Sequence, residues 1–182
     1  MGEVEKVDPN MQVRISGRLS YLLRHNPEQF DIELDPQGFA DLGAVAEQLG
    51  ISSEHICSVV EETPKRRFEI EGGRIRALYG HSVGIDLHLP PVTPPEILYH
   101  GTSWRLVREV MEHGLKPMGR LFVHLSGTEE EARQVGRRRE PHPAVIHVHA
   151  ERASQEGLEF YKPGDIYLVS DVPPEYLTLQ EE

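Results

Sequence analysis

Four of the seven residues in Leu89-Pro90-Pro91-Val92-Thr93-Pro94-Pro95 are proline, and no other stretch so narrows what this chain can fold into. Proline lacks a backbone N–H and fixes φ, so the stretch is neither helix nor central strand and reads as a semi-rigid linker. It cuts a chain of 182 residues near its middle, a length that suits one ordinary domain or two small ones. The spacing of apolar residues also changes along the chain, which predicts an N-terminal lobe over 1–93 and a C-terminal lobe over 94–182.

In the first half, Ile15, Leu19, Leu22 and Leu23 fall at helical spacing within Met11–His25, and Asn26-Pro27 ends that helix. Asp35-Pro36-Gln37-Gly38 reads as a turn. Asp41 then caps a short helix stopped by Gly50, and Ser52 or Ser53 opens a third through Ile56, Val59 and Val60. Beyond Pro64 the period becomes two: Arg67–Ile70, a Glu71-Gly72-Gly73 turn and Arg74–Tyr79 predict a β-hairpin. Three helices followed by a hairpin is the order of a winged-helix module.

After the prolines, strand and helix signals alternate. Ile97-Leu98-Tyr99 leads into a helix from Ser103 to Gly114, and Leu121-Phe122-Val123-His124-Leu125 is strand-like. Thr128-Glu129-Glu130-Glu131 is a capping box whose helix ends in Arg137-Arg138-Arg139. Ala144–His149 and Ile166–Val169 read as further strands.

Composition limits the chemistry. A net charge of −11 argues against a broad, sequence-independent grip on nucleic acid, so a polyanion would have to be held locally. Of the 19 Lys and Arg residues 15 are Arg, whose planar fork matches phosphate oxygens two at a time. The single cysteine, Cys57, sits in an apolar helical pattern and reads as a small hydrophobe rather than a nucleophile. Met1–Lys6 has neither a basic start nor an apolar segment, and no stretch is long and apolar enough for a membrane span; a cytoplasmic protein is expected.

Arg24-His25 places a permanent cation beside a titratable imidazole at a helix end. The same pair would also complement the helix dipole. Arg67 projects from the start of the hairpin while Phe68 anchors it, either to meet backbone phosphates or to protect an edge strand with charge. Arg137-Arg138-Arg139 satisfies its own helix dipole, and charge alone does not say which of the three turns inward. Tyr99-His100-Gly101-Thr102 and His124-Leu125-Ser126 end strands in one half, so two histidines can face one pocket, with Gly101 letting a ligand approach. His147 and His149 share a strand face, but no third ligand accompanies them at a fixed spacing and no metal is expected.

The chain resembles the RNA 2′-phosphotransferase family from Ile15 to about Leu177. The resemblance is carried in order by Leu19–Pro27, Asp35–Gly38, Lys65-Arg66-Arg67-Phe68, Gly80-His81-Ser82, Tyr99–Thr102, Val123–Ser126, Val135-Gly136-Arg137-Arg138 and Val172–Leu177. It implies an α+β chain with a winged-helix lobe that binds RNA, an ADP-ribosyltransferase-like α/β lobe that binds NAD⁺, and a cleft between them. It further implies two steps. The internal 2′-phosphate of an RNA, such as a spliced tRNA, attacks C1″ of NAD⁺ and releases nicotinamide. The ribose 2″-hydroxyl then attacks phosphorus, giving 2′-OH RNA and ADP-ribose 1″,2″-cyclic phosphate. The family's catalytic residues map onto Arg24, His25, Arg67 and Arg138, with Arg138 chosen by the pattern Val-Gly-x-Arg; its NAD⁺-site motifs map onto His100, Gly101, Thr102, His124, Leu125 and Ser126. NAD⁺ is consumed as co-substrate, and a monomer is expected. Glu140 stands where the family usually has Gly, and Pro163–Leu168 departs from its Asn-Gly-Val-Trp-Leu. Two other readings remain: ADP-ribosyl transfer to another acceptor, such as a terminal nucleic-acid phosphate or a protein, and a winged-helix regulator with a ligand-sensing domain. The latter leaves Arg24-His25 and His100-Gly101-Thr102 without a purpose.

Overall fold

A computed structural model describes residues 8–179, so Met1–Lys6, read above for the absence of an export signal, lies outside the described residues. By contact the chain divides into two compact units, Met1–His88 and Leu89–Glu182. The proline stretch therefore groups with the second unit. Val92, which keeps its N–H, donates it to the Phe160 carbonyl at 2.7 Å.

In the first unit, helix α1 (Pro9–Arg24) starts with proline at its first position, where the missing N–H costs no bond, and Asp8 caps it. Its apolar stripe, Ile15, Leu19, Leu22 and Leu23, is buried. Helix α2 (Leu42–Leu49) is capped by Asp41 and closed by Gly50, and α3 (Ser53–Glu62) is capped by Ser52. Strands β1 (Ala40–Asp41), β2 (Phe68–Glu71) and β3 (Arg74–Ala77) form an antiparallel sheet in the order β1-β3-β2. The core joins the α1 stripe to Val45, Ile56, Val59, Phe68 and Ile75; each such side chain contributes about 1.5–3 kcal/mol on full burial. Cys57 packs at its edge, half-buried.

The hairpin differs slightly from the sequence expectation. Glu71 pairs with Arg74, so the loop is only Gly72-Gly73, whose φ values of 56° and 77° suit the tight turn that follows strand twist. The strands stop at Phe68 and Ala77, one rung short of the Leu78 N–H bond to the Arg67 carbonyl.

In the second unit, six strands make an antiparallel sheet ordered β7-β8-β5-β4-β6-β9. They are β4 (Leu98–Thr102), β5 (Val123–Ser126), β6 (Ala144–Val148), β7 (Phe160–Tyr161), β8 (Ile166–Val169) and β9 (Leu177–Leu179). Helix α4 (Trp104–His113) follows β4, α5 (Glu129–Gly136) follows β5, and α6 (Ala150–Gln155) follows β6. The β5 strand starts at Val123, so Leu121 and Phe122 precede it, with Phe122 edge-on to Tyr161. Leu98, Leu125, Ile146 and Phe160 centre the core. Both sheets are antiparallel, making a mixed α+β chain with six α-helices among the described residues. No helix among them is long and apolar enough to cross a membrane.

Candidate active site

Arg24 ends α1, and its guanidinium lies over the rings of Phe68 (5.5 Å) and Tyr79 (5.0 Å). An aromatic face attracts a cation without neutralising it. Gly80 brings the next segment against this group: its φ is +89°, and a side chain there would begin 3.2 Å from Arg24 Nη1. The Ser82 N–H then donates to the Arg24 carbonyl at 2.9 Å, and the Ser82 hydroxyl lies 2.9 Å from His25 Nδ1. Between them His81 is 1% exposed. Burial, and then the charges of Arg24, His25 and Arg76, push its pKa down to about 4, so it is neutral at pH 7.

Arg67 is half-buried just before β2, with its carbonyl held by Leu78 N–H. The other arginines of the hairpin are engaged locally. Arg76 pairs with Glu69 at 2.7 Å, Arg74 with Asp35 at 2.9 Å, and both lie over Phe39. Arg66 reaches Glu69 at 3.7 Å. No ion pair joins Arg67 to a carboxylate among the described residues.

In the second unit, His100 of β4 bonds the His124 carbonyl of β5 through Nδ1 at 3.1 Å. A carbonyl only accepts, so Nδ1 carries the hydrogen and Nε2 the lone pair. Burial lowers the His100 pKa, opposed by that bond and aided by Arg120 and Arg139, which keeps the ring neutral. Arg120 Nη1 donates to His124 Nδ1, and since arginine has no acceptor the His124 proton belongs on Nε2. Arg120 as a residue is exposed, yet burial of its guanidinium end, then Arg139 and Arg138, lower its pKa. Three guanidiniums thus crowd one region. Thr102 and Ser126 are buried, and Leu125 lies in the core, leaving only its backbone for a ligand.

At Gly101 a Cβ would overlap the Ala132 carbonyl oxygen, so the missing side chain admits helix α5 against β4.

Arg138 is exposed, on the turn leaving α5, with its N–H on the Val135 carbonyl at 3.3 Å. Arg137 pairs with Glu130 at 3.5 Å; no ion pair joins Arg138 or Arg139 among the described residues. Glu140 takes the Trp104 N–H at 3.2 Å, tying this turn to the first turn of α4. That bond is what its carboxylate does here in place of glycine.

The whole chain can be compared with known proteins on this footing. Its residues 10–171 match the RNA 2′-phosphotransferase, Tpt1 / KptA family. The chain belongs to that family. A relative from Acetivibrio thermocellus named "Probable RNA 2'-phosphotransferase" is 38% identical over 175 residues, covering 92% of this chain and 96% of the relative. One of the same name from Rhizobium rhizogenes is 40% identical, covering 93% and 94%, and one from Thermococcus kodakarensis is 38% identical, covering 91% and 96%.

Family motifs and geometry meet most closely at Gly80-His81-Ser82, which sequence reasoning matched to the family without giving it a role. Arg120 was missed altogether. It is one arginine in an irregular loop, and only its spacing of four from His124 hints at their contact. Among the described residues no group of three or more His, Cys, Asp or Glu could hold a metal. His147 packs edge-on to Tyr99 at 5.0 Å and His149 Nε2 lies 3.4 Å from Thr178 Oγ1.

Proposed function

We propose that this chain removes an internal 2′-phosphate from RNA by transferring it to NAD⁺, with the first unit acting as a winged-helix RNA module and the second as an ADP-ribosyltransferase-like NAD⁺ module. The observation that carries the reading is the Arg24-His25 pair, its guanidinium laid on two rings and its imidazole beside Ser82, in a chain of this family. Support for a winged helix is the order of three helices and a hairpin with a third short strand, β1-β3-β2.

In the first unit Arg24 and Arg67 hold the phosphate dianion and offset the charge that spreads over its oxygens during transfer, and Arg138 is the catalytic cation of the second unit. Fixed cations do this without reorganising when the bond breaks. His25 holds and then removes the proton of the attacking ribose hydroxyl. NAD⁺ supplies the ribose that accepts the phosphate. The second unit suits such a co-substrate: Arg120, near Arg139 and Arg138, offers a guanidinium to a diphosphate, and neutral His100 presents an acceptor at Nε2.

The test is to incubate the protein with NAD⁺ and an oligoribonucleotide bearing one internal 2′-phosphate. Nicotinamide, 2′-OH RNA and ADP-ribose 1″,2″-cyclic phosphate are the expected products. Absence of NAD⁺-dependent phosphate loss would overturn the reading.

A further inference from the structure

We infer that Ser82 is a positioning residue that dictates which nitrogen of His25 carries the proton, placing the lone pair on Nε2. The inference rests on the reading of His25 as the group that handles the ribose hydroxyl proton.

Two acceptor-capable partners surround one hydroxyl. Ser82 Oγ lies 2.9 Å from His25 Nδ1 and donates to the Arg24 carbonyl at 3.4 Å. A serine hydroxyl has a single hydrogen. If that hydrogen went to His25, the lone pairs of Oγ and of the carbonyl oxygen would face each other with no proton between them. Directed to the carbonyl, it leaves Oγ as an acceptor. His25 Nδ1 must then be the donor, and Nε2 is the basic nitrogen. The hydrogen bond made by one imidazole nitrogen thus sets the chemistry of the other.

The surrounding backbone makes this choice durable. Ser82 N–H holds the same Arg24 carbonyl at 2.9 Å, which keeps Oγ beside an atom that can only accept. His25 is itself fixed by its N–H to the Tyr21 carbonyl at 3.2 Å. Just before Ser82, buried His81 anchors the segment, and Gly80 adopts a left-handed φ of +89° that lets the segment lie against Arg24. The hydroxyl is therefore carried on a strap held against Arg24. Ser82 is an exposed residue, so its hydroxyl can be altered without opening the core.

The measurement is ¹⁵N NMR of the intact protein with labelled histidine, at a pH where His25 is neutral, on wild type, Ser82→Ala and Ser82→Thr. Wild type and Ser82→Thr should show His25 protonated on Nδ1, whereas Ser82→Ala should show the proton redistributed toward Nε2. In single-turnover assays with NAD⁺ and 2′-phosphorylated RNA, Ser82→Ala should slow the second step about tenfold, a fraction of what proton transfer contributes. The first step should be unchanged and Ser82→Thr should restore the rate. A wild-type His25 protonated on Nε2, an Ala variant with an unaltered tautomer, or an unaltered second step would overturn the inference. The NMR requires no substrate. Full turnover by His25→Ala would instead overturn the functional reading, whatever the tautomer.

Discussion

In the first unit the Arg24 guanidinium lies against Phe68 and Tyr79, and Arg74 and Arg76 share Phe39 while pairing with Asp35 and Glu69; in the second, burial and then the charges of Arg139 and Arg138 lower the Arg120 pKa. The first arrangement is stabilised before any ligand arrives, each ring contact contributing about 0.5–2 kcal/mol. In the second, like charges lie near a partly buried guanidinium. On the proposed function, a phosphate meeting the first unit finds a cation held by rings, whereas a diphosphate meeting the second offsets like charge around Arg120. One unit is built to position and the other to attract.

The sharpest way to break that contrast is to remove a proposed catalytic group from each unit. His25→Ala and Arg138→Ala should each slow the second step roughly a thousandfold and accumulate ADP-ribosylated RNA, seen by gel analysis of a single turnover. Arg74→Ala, whose cation is committed to Asp35 and Phe39, should stay within about threefold of wild type. Equal losses in His25→Ala and Arg74→Ala would mean that charge, not placement, matters in the first unit. Next in size is the glycine pair. Gly101→Ala drives a Cβ into the Ala132 carbonyl and should cost more than about 4 kcal/mol in urea unfolding. At Gly80 the strain is the φ of +89°, with the Arg24 side chain 3.2 Å away, so Gly80→Ala should cost about 1–2 kcal/mol and also show its effect in turnover. Similar unfolding losses in both would remove the distinction.

These same glycines show what could be read in the sequence. Helices α1, α2 and α3 were legible because each pairs an apolar period with an explicit stop or cap: Pro27, Asp41 with Gly50, and Ser52. Strand β7 has two residues and α6 has six with no side-chain cap, too short for a period to declare itself. Strand β9 pairs with β6 far along the chain, and that pairing is set by tertiary contacts. Arg24-His25 was visible as a pair, but its support by Ser82 lies 57 residues away for His25 and has no local signature. Gly101 is visible too, but the room it makes for α5 is not, because the neighbour is a carbonyl of another element.

Acid should expose the comparison through histidine. The pKa of His81 falls from 6.5 unfolded to about 4 folded, so as pH drops the unfolded chain takes the proton first. Stability is complete above about pH 6.5 and declines through the window down to about pH 4, by up to about 3 kcal/mol from this group. His100, shifted in the same direction, adds to the decline. Urea midpoints measured across that window should fall, and His81→Gln should flatten the slope. An undiminished slope in His81→Gln would assign the acid sensitivity to His100 and the second unit.

The smallest expected effect falls on Arg120. Removing it leaves Arg138 and Arg139 with less to repel them, so Arg120→Ala should unfold no more easily than wild type despite losing the bond to His124. Binding should suffer instead: the KM for NAD⁺ rises about tenfold, or about 1.4 kcal/mol, while kcat and the KM for RNA stay within about twofold. Arg120→Lys keeps the charge but loses the fork, and should fall between the two. Added salt should narrow the gap between variant and wild type, since it screens the attraction that the guanidinium exerts on an approaching diphosphate. If Arg120→Ala lowered stability and left the KM for NAD⁺ unchanged, this arginine would belong with the structural cations of the first unit, and the proposed difference in how the two units use their charge would fail at its most direct point.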